Sequence, residues 1–513
     1  MRGMPARERN TVLKNPRGKL RVALVYPQRY RAGIANLGMQ IVYAMLNERR
    51  EVYAERFYLD VHEGLRSVET RSPLRDFDVV AFCWQYEPDA LSMLQILERG
   101  GILTPEMRGE RVVIAGGACA VNPLPLAEYL DAFYVGEAER GLVQVLDALQ
   151  AGSREQVLEE LAALEFVYIP GVKEHARRAF CDTLPAQPAV QVVSDAGAFG
   201  ESHLLEVARG CGRSCRFCMG GYIFRPRRER RIEEIEALLQ EWAQGGVRKV
   251  ALLGASVTDH SSLDRLTELL AETGMQVSAP SLRADALSED FVRMLVESGQ
   301  RTVTLAPEAC EELRLRLNKH LTDEELVRAA ELCARCGVRR LRLYMMYGLP
   351  GEREEHIEKA AALVRRIKRA FGGRVKLSLS PFVPKPHTPL QWCAFCEQKL
   401  LRRRLKLFRK LLAGVAEVES ESIRASLLQA AIAKGGREVG RALLQVQRGG
   451  GMAALRSALS RHTGERSPEE PLPWEGVDVG VSAEHLREEY LRYLAAEPSP
   501  ECFPGCRRCG ACR

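Results

Sequence analysis

The sequence predicts an α/β protein with two separate parallel-sheet domains followed by a helical region. Short apolar strands alternate with helical patterns twice, first over residues 20–150 and again from about residue 203 to 380. Uninterrupted apolar strands separated by helices are typical of parallel sheets covered on both faces. After residue 397 the strand patterns give way to basic, helix-rich sequence, and the chain ends in a cysteine-rich segment.

The first alternating series predicts a doubly wound, Rossmann-like domain over residues 1–150. Buried strands are expected at 20–26, 79–82, 112–115 and 132–135. Asn36 is the expected N-cap of a helix over residues 36–47. Gly116 and Gly117 follow the third strand, where the missing Cβ lets a ligand approach the backbone. Residues 151–200 contain several prolines and are interpreted as a linker.

The second series predicts a partial (β/α)6 TIM barrel over residues 201–396. Its strands are expected at 203–208, 248–253, 275–279, 301–305, 339–346 and 374–380, and its helices at 231–243, 261–273, 288–298, 322–336 and 354–370. In barrels of this kind the chemistry lies at the mouth formed by the C-terminal strand ends. Residues 397–470 are predicted to be helical, and residues 471–513 form a cysteine-rich tail.

Bulk composition limits the classes of protein that need to be considered. The chain has 513 residues, 46% hydrophobic and 27% charged, which is typical of a soluble globular protein with two or three domains. A net charge of +7 permits a phosphate-bearing partner without requiring one. No apolar run approaches the ~20 residues that span a bilayer, so we expect a cytoplasmic protein with no membrane partner. Fifteen cysteines in such a chain favour metal ligation over disulfides.

Three cysteines form one compact motif directly after the first barrel strand. The run is Cys211-Gly-Arg-Ser-Cys215-Arg-Phe-Cys218. Three thiolates can bind three irons of a cubane 4Fe–4S cluster, which leaves the fourth iron free for another ligand. A zinc site is the alternative, but structural zinc needs four ligands and no fourth lies beside these three. We therefore favour an iron–sulfur cluster at the barrel mouth.

A second cysteine group closes the chain. Its members lie within eleven residues, at Cys502, Cys506, Cys509 and Cys512. Four thiols this close together in a hydrophilic segment predict a metal site. A second iron–sulfur cluster and tetrahedral zinc both fit, and the sequence leaves the choice open.

The C-x3-C-x2-C spacing with the aromatic Phe217 before its last cysteine resembles the signature of the radical S-adenosylmethionine (radical SAM) superfamily. In that family the open iron is chelated by the amino and carboxylate groups of SAM. The resemblance implies an enzyme whose cluster, bound by Cys211, Cys215 and Cys218, cleaves SAM reductively and acts on an unreactive C–H bond. It also implies an electron donor such as flavodoxin or ferredoxin, while the catalytic residues and the substrate stay unknown.

Contacts to SAM are expected at the strand ends of the barrel. The resemblance assigns them to Phe217, Gly254, Ser256, Arg283, Glu308 and Tyr344. Each has a structural alternative. Phe217 could pack the loop, Arg283 could pair with Asp285, the carboxylate of Glu308 could start a helix, and Tyr344 could be a core residue.

The N-terminal domain resembles the cobalamin-binding-like domain that is fused to many radical SAM proteins. The runs 115–119 (AGGAC) and 134–139 (YVGEAE) look like two late loops of that domain. Cobalamin domains with a histidine ligand carry Asp-x-His-x-x-Gly after the first strand, whereas residues 28–33 read QRYRAG. Cobalamin is therefore left open, and methyl transfer to carbon is expected if it binds.

The sequence as a whole predicts a radical SAM enzyme of an uncharacterised branch, with a cobalamin-binding-like domain and a cysteine-rich tail. One alternative is a radical SAM methylthiolation or rearrangement enzyme. Another is a non-catalytic, metal-containing protein that binds RNA. The basic run 225–231 and the basic helices after residue 397 would meet RNA phosphates.

Overall fold

The structure is a computed structural model that describes residues 8–62, 64–450, 452–503 and 505–512. The chain folds into two compact units. Unit 1 contains residues up to His203 together with Ala431–His462 and Glu470–Gly480, and unit 2 contains Leu204–Ala430, Thr463–Glu469 and Val481–Arg513.

Unit 1 is built on a six-stranded sheet. The strands before unit 2 are β1 (Glu8–Arg9), β2 (Leu20–Val25), β3 (Val52–Phe57), β4 (Val79–Cys83), β5 (Val112–Gly116), β6 (Ala132–Tyr134), β7 (Val167–Tyr168), β8 (Ala176–Arg177) and β9 (Val193–Ser194). The helices are α1 (Tyr30–Gly33), α2 (Leu37–Glu48), α3 (Asp89–Arg99), α4 (Pro105–Arg108), α5 (Ala138–Ala148) and α6 (Arg154–Ala163). As expected, the Asn36 side chain caps α2 by accepting from the Met39 N–H.

The strand order of this sheet is β3-β2-β4-β5-β6-β7, parallel except for the antiparallel pairing of β7 with β6. The chain runs from β2 out to β3 and then crosses back to β4 on the other side of β2. Strand order therefore reverses between β2 and β4, and such switch points are where doubly wound sheets bind ligands. The predicted doubly wound domain is confirmed.

Two parts of unit 1 differ from the sequence prediction. Strand β3 was not predicted, because the charged pair Glu55 and Arg56 interrupts its apolar pattern. Both side chains are buried and paired, Glu55 with Arg21 at 2.9 Å and Arg56 with Glu69 at 2.7 Å. The segment interpreted as a linker also contains regular structure. Helix α6 starts with a capping box at Ser153, and β7 joins the sheet.

Unit 2 is built mainly on parallel strands that alternate with helices, and two of its short strands, Ala208–Arg209 and Arg228–Glu229, pair antiparallel with each other. Its strands are β10 (His203–Glu206), β11 (Ala208–Arg209), β12 (Arg228–Glu229), β13 (Lys249–Leu253), β14 (Gln276–Ser278), β15 (Thr302–Glu308), β16 (Arg340–Tyr347), β17 (Arg374–Pro381) and β18 (Glu417–Ser420). Its helices are α7 (Gly220–Ile223), α8 (Ile232–Gln244), α9 (Leu263–Glu272), α10 (Glu289–Glu297), α11 (Glu311–Arg316), α12 (Asp323–Arg335), α13 (Glu354–Phe371), α14 (Gln398–Leu411) and α15 (Ile423–Lys434), of which residues 431–434 belong to unit 1.

The barrel strands form two neighbouring sheets, β10-β13-β14 and β15-β16-β17-β18. Between them, the Leu282 N–H donates to the Thr304 carbonyl at 3.0 Å. All six strands and all five helices predicted for the barrel are present, with ends that differ by a few residues. Helices such as α12 and α13 pack side by side outside the strands. The structure thus confirms the predicted α/β barrel architecture.

The C-terminal segments return to both units. They contain α16 (Arg437–Gln447), α17 (Met452–His462), β19 (Val477–Asp478) and α18 (Ala483–Ala495). In unit 1, α16 packs against α3, and β19 pairs with β8. In unit 2, α18 precedes the cysteine-rich end of the chain. None of the described helices combines the length and apolar character that crossing a membrane requires.

Candidate functional site

The three-cysteine loop, residues 211–218, lies at the mouth of the barrel directly after β10 and β11. We call it the cluster loop. Its thiols at Cys211, Cys215 and Cys218 are half-buried. The backbone N–H of Arg213 donates to the Cys211 sulfur at 3.4 Å, and the Arg216 N–H donates to the Leu317 carbonyl at 2.9 Å. The loop is therefore held both to itself and to the chain that follows α11.

Burial and nearby cations control the charge of these thiols. Burial raises the pKa of Cys215 to about 12 and also raises the pKa of Cys218. Lys319 opposes both rises, and Arg283 opposes the rise at Cys215. Without a metal these two thiols stay protonated at neutral pH, so metal binding has to release their protons.

The Glu308 carboxylate lies beside the cluster loop in an unusual backbone conformation. Glu308 ends β15 with φ +63°, where the register to β16 shifts. A left-handed conformation costs a residue with a Cβ about 1 kcal/mol or more. The carboxylate accepts from Lys319 Nζ at 2.9 Å, and the same ammonium donates to the Ala306 carbonyl at 2.6 Å. Glu308 also adds to the pKa rise at Cys218, so its charge faces the loop.

Arg283 forms an ion pair with Asp285, the structural role that the sequence offered as the alternative to a SAM contact. Its Nε and Nη2 donate to the two oxygens of Asp285 at 2.9 and 2.7 Å. Its charge nevertheless reaches the Cys215 thiol, whose pKa it lowers. Arg283 is thus an ion-paired cation at the edge of the cluster loop.

The end of β13 reaches the cluster loop through an ion pair that sequence reasoning missed. Arg213 of the loop donates to both carboxylate oxygens of Asp259, at 2.8 and 3.1 Å. The nearby Ser256 is buried. Gly254 is exposed, and a Cβ there would lie 3.2 Å from the Ala208 carbonyl oxygen, which favours glycine. An Arg two residues after a predicted cluster ligand was the only available signal for this contact.

Tyr344 is not a core residue. Side chains of β16 alternate between buried and exposed, and Tyr344 is 41% exposed. On the opposite face Tyr347 packs against Phe408 of α14, which identifies that face as the helix-covered one. Tyr344 therefore lies on the concave face of the strands. Phe217 is half-buried in the cluster loop.

One polar atom on the same concave face, and one on β14 of the neighbouring sheet, have no hydrogen-bond partner among the described residues. Arg342 precedes Tyr344 by two residues, and its register neighbours are Thr304 and Lys376. The buried Nε of Arg342 has no hydrogen-bond partner among the described residues, and neither has the buried Oγ of Ser278 on β14. Buried polar groups without partners are unusual, and a bound ligand is one way to satisfy them.

The three thiols of the cluster loop fit a 4Fe–4S cluster, which is the cofactor that the sequence implied. Within the part of the chain that is described, no three His, Cys, Asp or Glu side chains are arranged for a single metal ion. A cubane differs from a single ion because each of its thiolates binds a different iron. The loop supplies three thiols, a backbone N–H directed at Cys211, and the nearby cations Lys319 and Arg283, which suit an anionic thiolate-bound cluster.

The tail cysteines lie in the same unit as the cluster loop. Cys506 and Cys509 are buried, and Cys502 and Cys512 are half-buried. The Cys502 N–H donates to the carbonyl of Gly212 in the cluster loop at 2.9 Å. The structure therefore brings the two cysteine groups together, although about 290 residues separate them in sequence.

The basic run after the cluster loop does not form an exposed face. Arg225, Arg228 and Arg230 are at most 7% exposed. Arg225 lies over the Tyr222 ring and donates to the Gly221 carbonyl, and Arg230 donates to the Glu206 carbonyl. The expectation that this run meets RNA phosphates is wrong for these three side chains, because they form the packing beneath the loop.

A second candidate site lies at the switch point of unit 1. The Gln28 amide, after β2, donates to Oδ1 of Asp89, after β4, at 2.7 Å. Asp89 is 4% exposed, and its Oδ2 has no hydrogen-bond partner among the described residues. Burial raises the pKa of Asp89 to about 6. Gly117, after β5, has φ +114°, and a Cβ there would lie 2.6 Å from the Trp84 carbonyl oxygen.

Comparisons with known families match both units. A model described as the N-terminal part of radical SAM proteins matches residues 38–170, and one described as the radical SAM superfamily matches residues 205–364. An uncharacterized protein of Methanocaldococcus jannaschii is 31% identical over 422 residues, or 81% of this chain and 88% of that protein. A tRNA-2-methylthio-N(6)-dimethylallyladenosine synthase of Anaplasma marginale is 28% identical over 213 residues, 37% of this chain and 44% of that protein.

Solved structures share the fold. The radical S-adenosylmethionine methyltransferase TsrM from Kitasatospora setae, solved with cobalamin and a 4Fe–4S cluster bound, has a TM-score of 0.57 at 14% identity. The match covers 86% of this chain and all of that one. Identity this low shows a common architecture and does not by itself carry a reaction or a ligand across.

Proposed function

The chain belongs to the radical SAM superfamily, and from this premise we propose that it transfers a methyl group to carbon in an anionic substrate, with a corrinoid held by unit 1. The family uses a 4Fe–4S cluster and SAM. The observation that carries the proposal is the cluster loop at the barrel mouth, with three half-buried thiols among Lys319, Arg283 and Glu308.

Cys211, Cys215 and Cys218 would hold the cluster. When bound, the cluster and SAM would supply a 5′-deoxyadenosyl radical that removes hydrogen from an unreactive C–H bond, and a second SAM, by way of the corrinoid, would supply the methyl group that replaces it. The protein contributes position and charge, which is the usual division of work in cofactor enzymes. The Arg213 N–H steadies the Cys211 sulfur, and the Arg213 side chain fixes the loop to Asp259.

Glu308, Arg283 and Phe217 are the residues that we propose to orient SAM. The Glu308 carboxylate is suited to ribose hydroxyls because it is held in place by its left-handed backbone and by Lys319. Strained backbone of this kind is concentrated at functional sites. Arg283 would meet the SAM carboxylate while staying paired with Asp285, and Phe217 would contact the adenine.

The corrinoid part of the proposal depends on the switch point of unit 1. Gly117 lets the backbone after β5 lie against the Trp84 carbonyl at this edge, and Asp89 offers a buried carboxylate oxygen without a hydrogen-bond partner among the described residues. These features suit a large polar ligand. The segment after β2 has no histidine, so any corrinoid would have no histidine ligand from residues 28–33.

An anionic group on the substrate would give the Arg342 guanidinium, on the concave face of the barrel, a hydrogen-bond acceptor. Arg342 presents a guanidinium whose buried Nε has no hydrogen-bond partner in the described part of the chain, and a carboxylate or phosphate accepts from a guanidinium in two parallel bonds. The neighbouring Lys376 is already paired with Glu417 and Glu419. Arg342 is therefore the cation available for a ligand.

Anaerobic reconstitution with iron and sulfide, followed by SAM turnover under a reductant, tests the proposal. We expect the parent to cleave SAM and the Cys215→Ala variant to lose that activity, while the Cys336→Ala variant, altered at the C-cap of helix α12, keeps it. Incubation with hydroxocobalamin should give a bound corrinoid absorption spectrum. SAM cleavage by Cys215→Ala at the parent rate would refute the cluster site, and failure to retain corrinoid would refute the methyl-transfer part.

Methylthiolation is the second candidate, because several curated relatives are methylthiotransferases that match about a third of this chain. Such an enzyme would yield a product that contains sulfur from a cluster or from added sulfide. Mass spectrometry of the product, a gain of CH2 against a gain of CH2S, separates the two reactions.

A further inference from the structure

The tail repeats the spacing of the cluster loop. Cys502, Cys506 and Cys509 are separated by three and two residues, and so are the three cysteines of the loop. The tail then adds Cys512, two residues further on. Four cysteines can supply one thiolate for each of the four irons of a cubane, which leaves no iron open.

The four tail cysteines are withdrawn from solvent to different degrees. Cys506 and Cys509 are buried, and Cys502 and Cys512 are half-buried. The Cys506 N–H donates to the Phe503 carbonyl at 3.0 Å and the Gly510 N–H to the Arg507 carbonyl at 3.2 Å, so the segment that carries these cysteines turns back on itself twice. The Arg225 guanidinium lies within electrostatic reach of the Cys509 thiol. A guanidinium beside thiolates offsets the negative charge that a bound cluster would bring.

Backbone and side-chain contacts fasten the tail to the cluster loop. The Cys502 N–H donates to the Gly212 carbonyl at 2.9 Å, and Gly212 is bonded to Cys211. Glu501 accepts from Arg213 at 2.7 and 2.8 Å. One hydrogen bond and a few covalent bonds thus connect Cys502 of the tail to Cys211 of the cluster loop.

A buried arginine supports the same junction. Arg216, fully buried, donates to Glu489 at 3.0 Å, to the Ser499 hydroxyl at 2.9 Å and to the Glu497 carbonyl at 2.9 Å. The Ser499 N–H donates to the side-chain oxygen of Asn318 at 2.7 Å. The tail is therefore part of the wall of the site, with defined positions for its backbone.

We propose that Cys502, Cys506, Cys509 and Cys512 ligate a second 4Fe–4S cluster, which relays one electron to the catalytic cluster across the contact between Cys502 and Gly212. The relay role rests on the proposed function, whereas the second cluster does not. A low-potential one-electron donor, of the flavodoxin or ferredoxin class, is oxidised by one electron. The tail cluster takes up that electron and is reoxidised when the electron passes to the cluster held by Cys211, Cys215 and Cys218.

Iron analysis of the anaerobically reconstituted full chain tests for the second cluster. We expect about eight irons per chain for the parent, about four for the Cys506→Ala, Cys509→Ala double variant, and about four for Cys215→Ala, because each cubane holds four. The Cys181→Ala variant, changed outside both groups, should match the parent. Circular dichroism and the remaining EPR signal of the reduced double variant establish that it is folded.

Turnover of SAM tests the relay. With reduced flavodoxin as donor, the double variant should cleave SAM at least about tenfold more slowly than the parent, and with dithionite, a small donor, within about threefold of it. Full iron content in the double variant, or one zinc per chain in its place in the parent, would overturn the second cluster. Equal rates with flavodoxin would overturn the relay. Unchanged SAM cleavage by Cys215→Ala would instead refute the proposed function and leave the tail result standing.

Discussion

At the scale of single residues, Glu308 combines an unfavourable backbone conformation with a carboxylate placed at the candidate site. Its left-handed backbone is unfavourable for glutamate, and its carboxylate is held by Lys319 beside the cluster loop. A residue chosen for stability alone at this φ would be glycine or asparagine. The strain therefore indicates that the carboxylate is retained for a role at the site.

Glu308→Asn should keep the fold and weaken SAM binding. Asparagine tolerates the left-handed region, but the buried ammonium of Lys319 loses its counter-ion, so we expect the free energy of unfolding to fall by about 3 kcal/mol. Loss of the carboxylate should weaken SAM binding at least about tenfold, since the proposed hydrogen bonding of the ribose hydroxyls to a charged group is removed. Equilibrium dialysis with the reconstituted protein measures the affinity. The control is Asn10→Asp, at another residue with positive φ. Asn318 also has positive φ, but it contacts the tail and is therefore not used as the control.

Asp89 predicts a pH dependence of stability in unit 1. Burial raises its pKa from 3.8 to about 6, against the opposing hydrogen bond from Gln28. Since the folded state favours the protonated form, this stability is complete below about pH 4 and is lost as pH rises through about 6. The largest loss is about 3 kcal/mol, from a shift of about two pKa units.

Asp89→Asn removes this titration. Relative to the parent, the variant should therefore gain stability as the pH rises from 4.5 to 7.5, and chemical denaturation of the corrinoid-free protein at several pH values measures the gain. Asp195→Asn, an exposed carboxyl in the same unit, is the control and should show no such trend. A constant difference between Asp89→Asn and the parent would contradict the assignment.

At the scale of elements, the loop after β5 depends on a close backbone contact. Gly117 has φ +114°, and an added Cβ would lie 2.6 Å from the Trp84 carbonyl oxygen and 2.9 Å from the Gln85 amide nitrogen. Backbone atoms at such a distance have to move, because a Cβ cannot approach that closely. This contact joins the chain after β4 to the chain after β5 at the switch-point edge.

Gly117→Ala should destabilise unit 1 by about 2–4 kcal/mol, since conformational strain and a backbone clash add together. Gly18→Ala is the matched control. Gly18 also has positive φ, but nothing lies within 4 Å of the added Cβ, so only the strain of about 1 kcal/mol remains. Thermal unfolding of both variants gives the difference. Equal melting temperatures would mean that the loop adjusts freely.

Elements were predictable where one physical signal dominated. The barrel strands and helices follow from apolar periodicity, so their positions agree closely with the structure. Strand β3 could not be found in this way, because Glu55 and Arg56 are buried through partners distant in sequence, such as Arg21 and Glu69. Local pattern contains no information about partners of that kind.

The cysteine ligands of the candidate site could be predicted from the sequence, whereas the residues that hold the cluster loop in place could not. The thiol spacing alone indicated the cluster loop. Lys319, Asp259 and the seating of the tail on Gly212 depend on contacts between distant segments, and no single-sequence pattern indicates them. The same limit explains why Arg225, Arg228 and Arg230 were read as a basic surface when they are buried.

At the scale of the whole molecule, Glu489 tests how firmly the tail is docked. It lies 3.0 Å from the fully buried Arg216, and Ser499 donates to the same carboxylate at 2.9 Å. Glu489→Ala leaves a buried cation without its counter-ion, which costs about 3–5 kcal/mol. We expect limited proteolysis to release the tail from this variant much faster than from the parent. Glu488→Ala, an exposed neighbour, should be digested at the parent rate.

The junction between Arg216 and Glu497 joins residues that lie 281 positions apart in the chain. At 5–20 residues per second, a ribosome completes Glu497 roughly 15–60 seconds after Arg216. Throughout that interval the nascent loop has its cysteines and lacks the segment that closes over them. The metal therefore has to be inserted after translation, or into a site that still lacks the tail. A chain truncated near its end would be expected to acquire its metal poorly even though its family signature is intact.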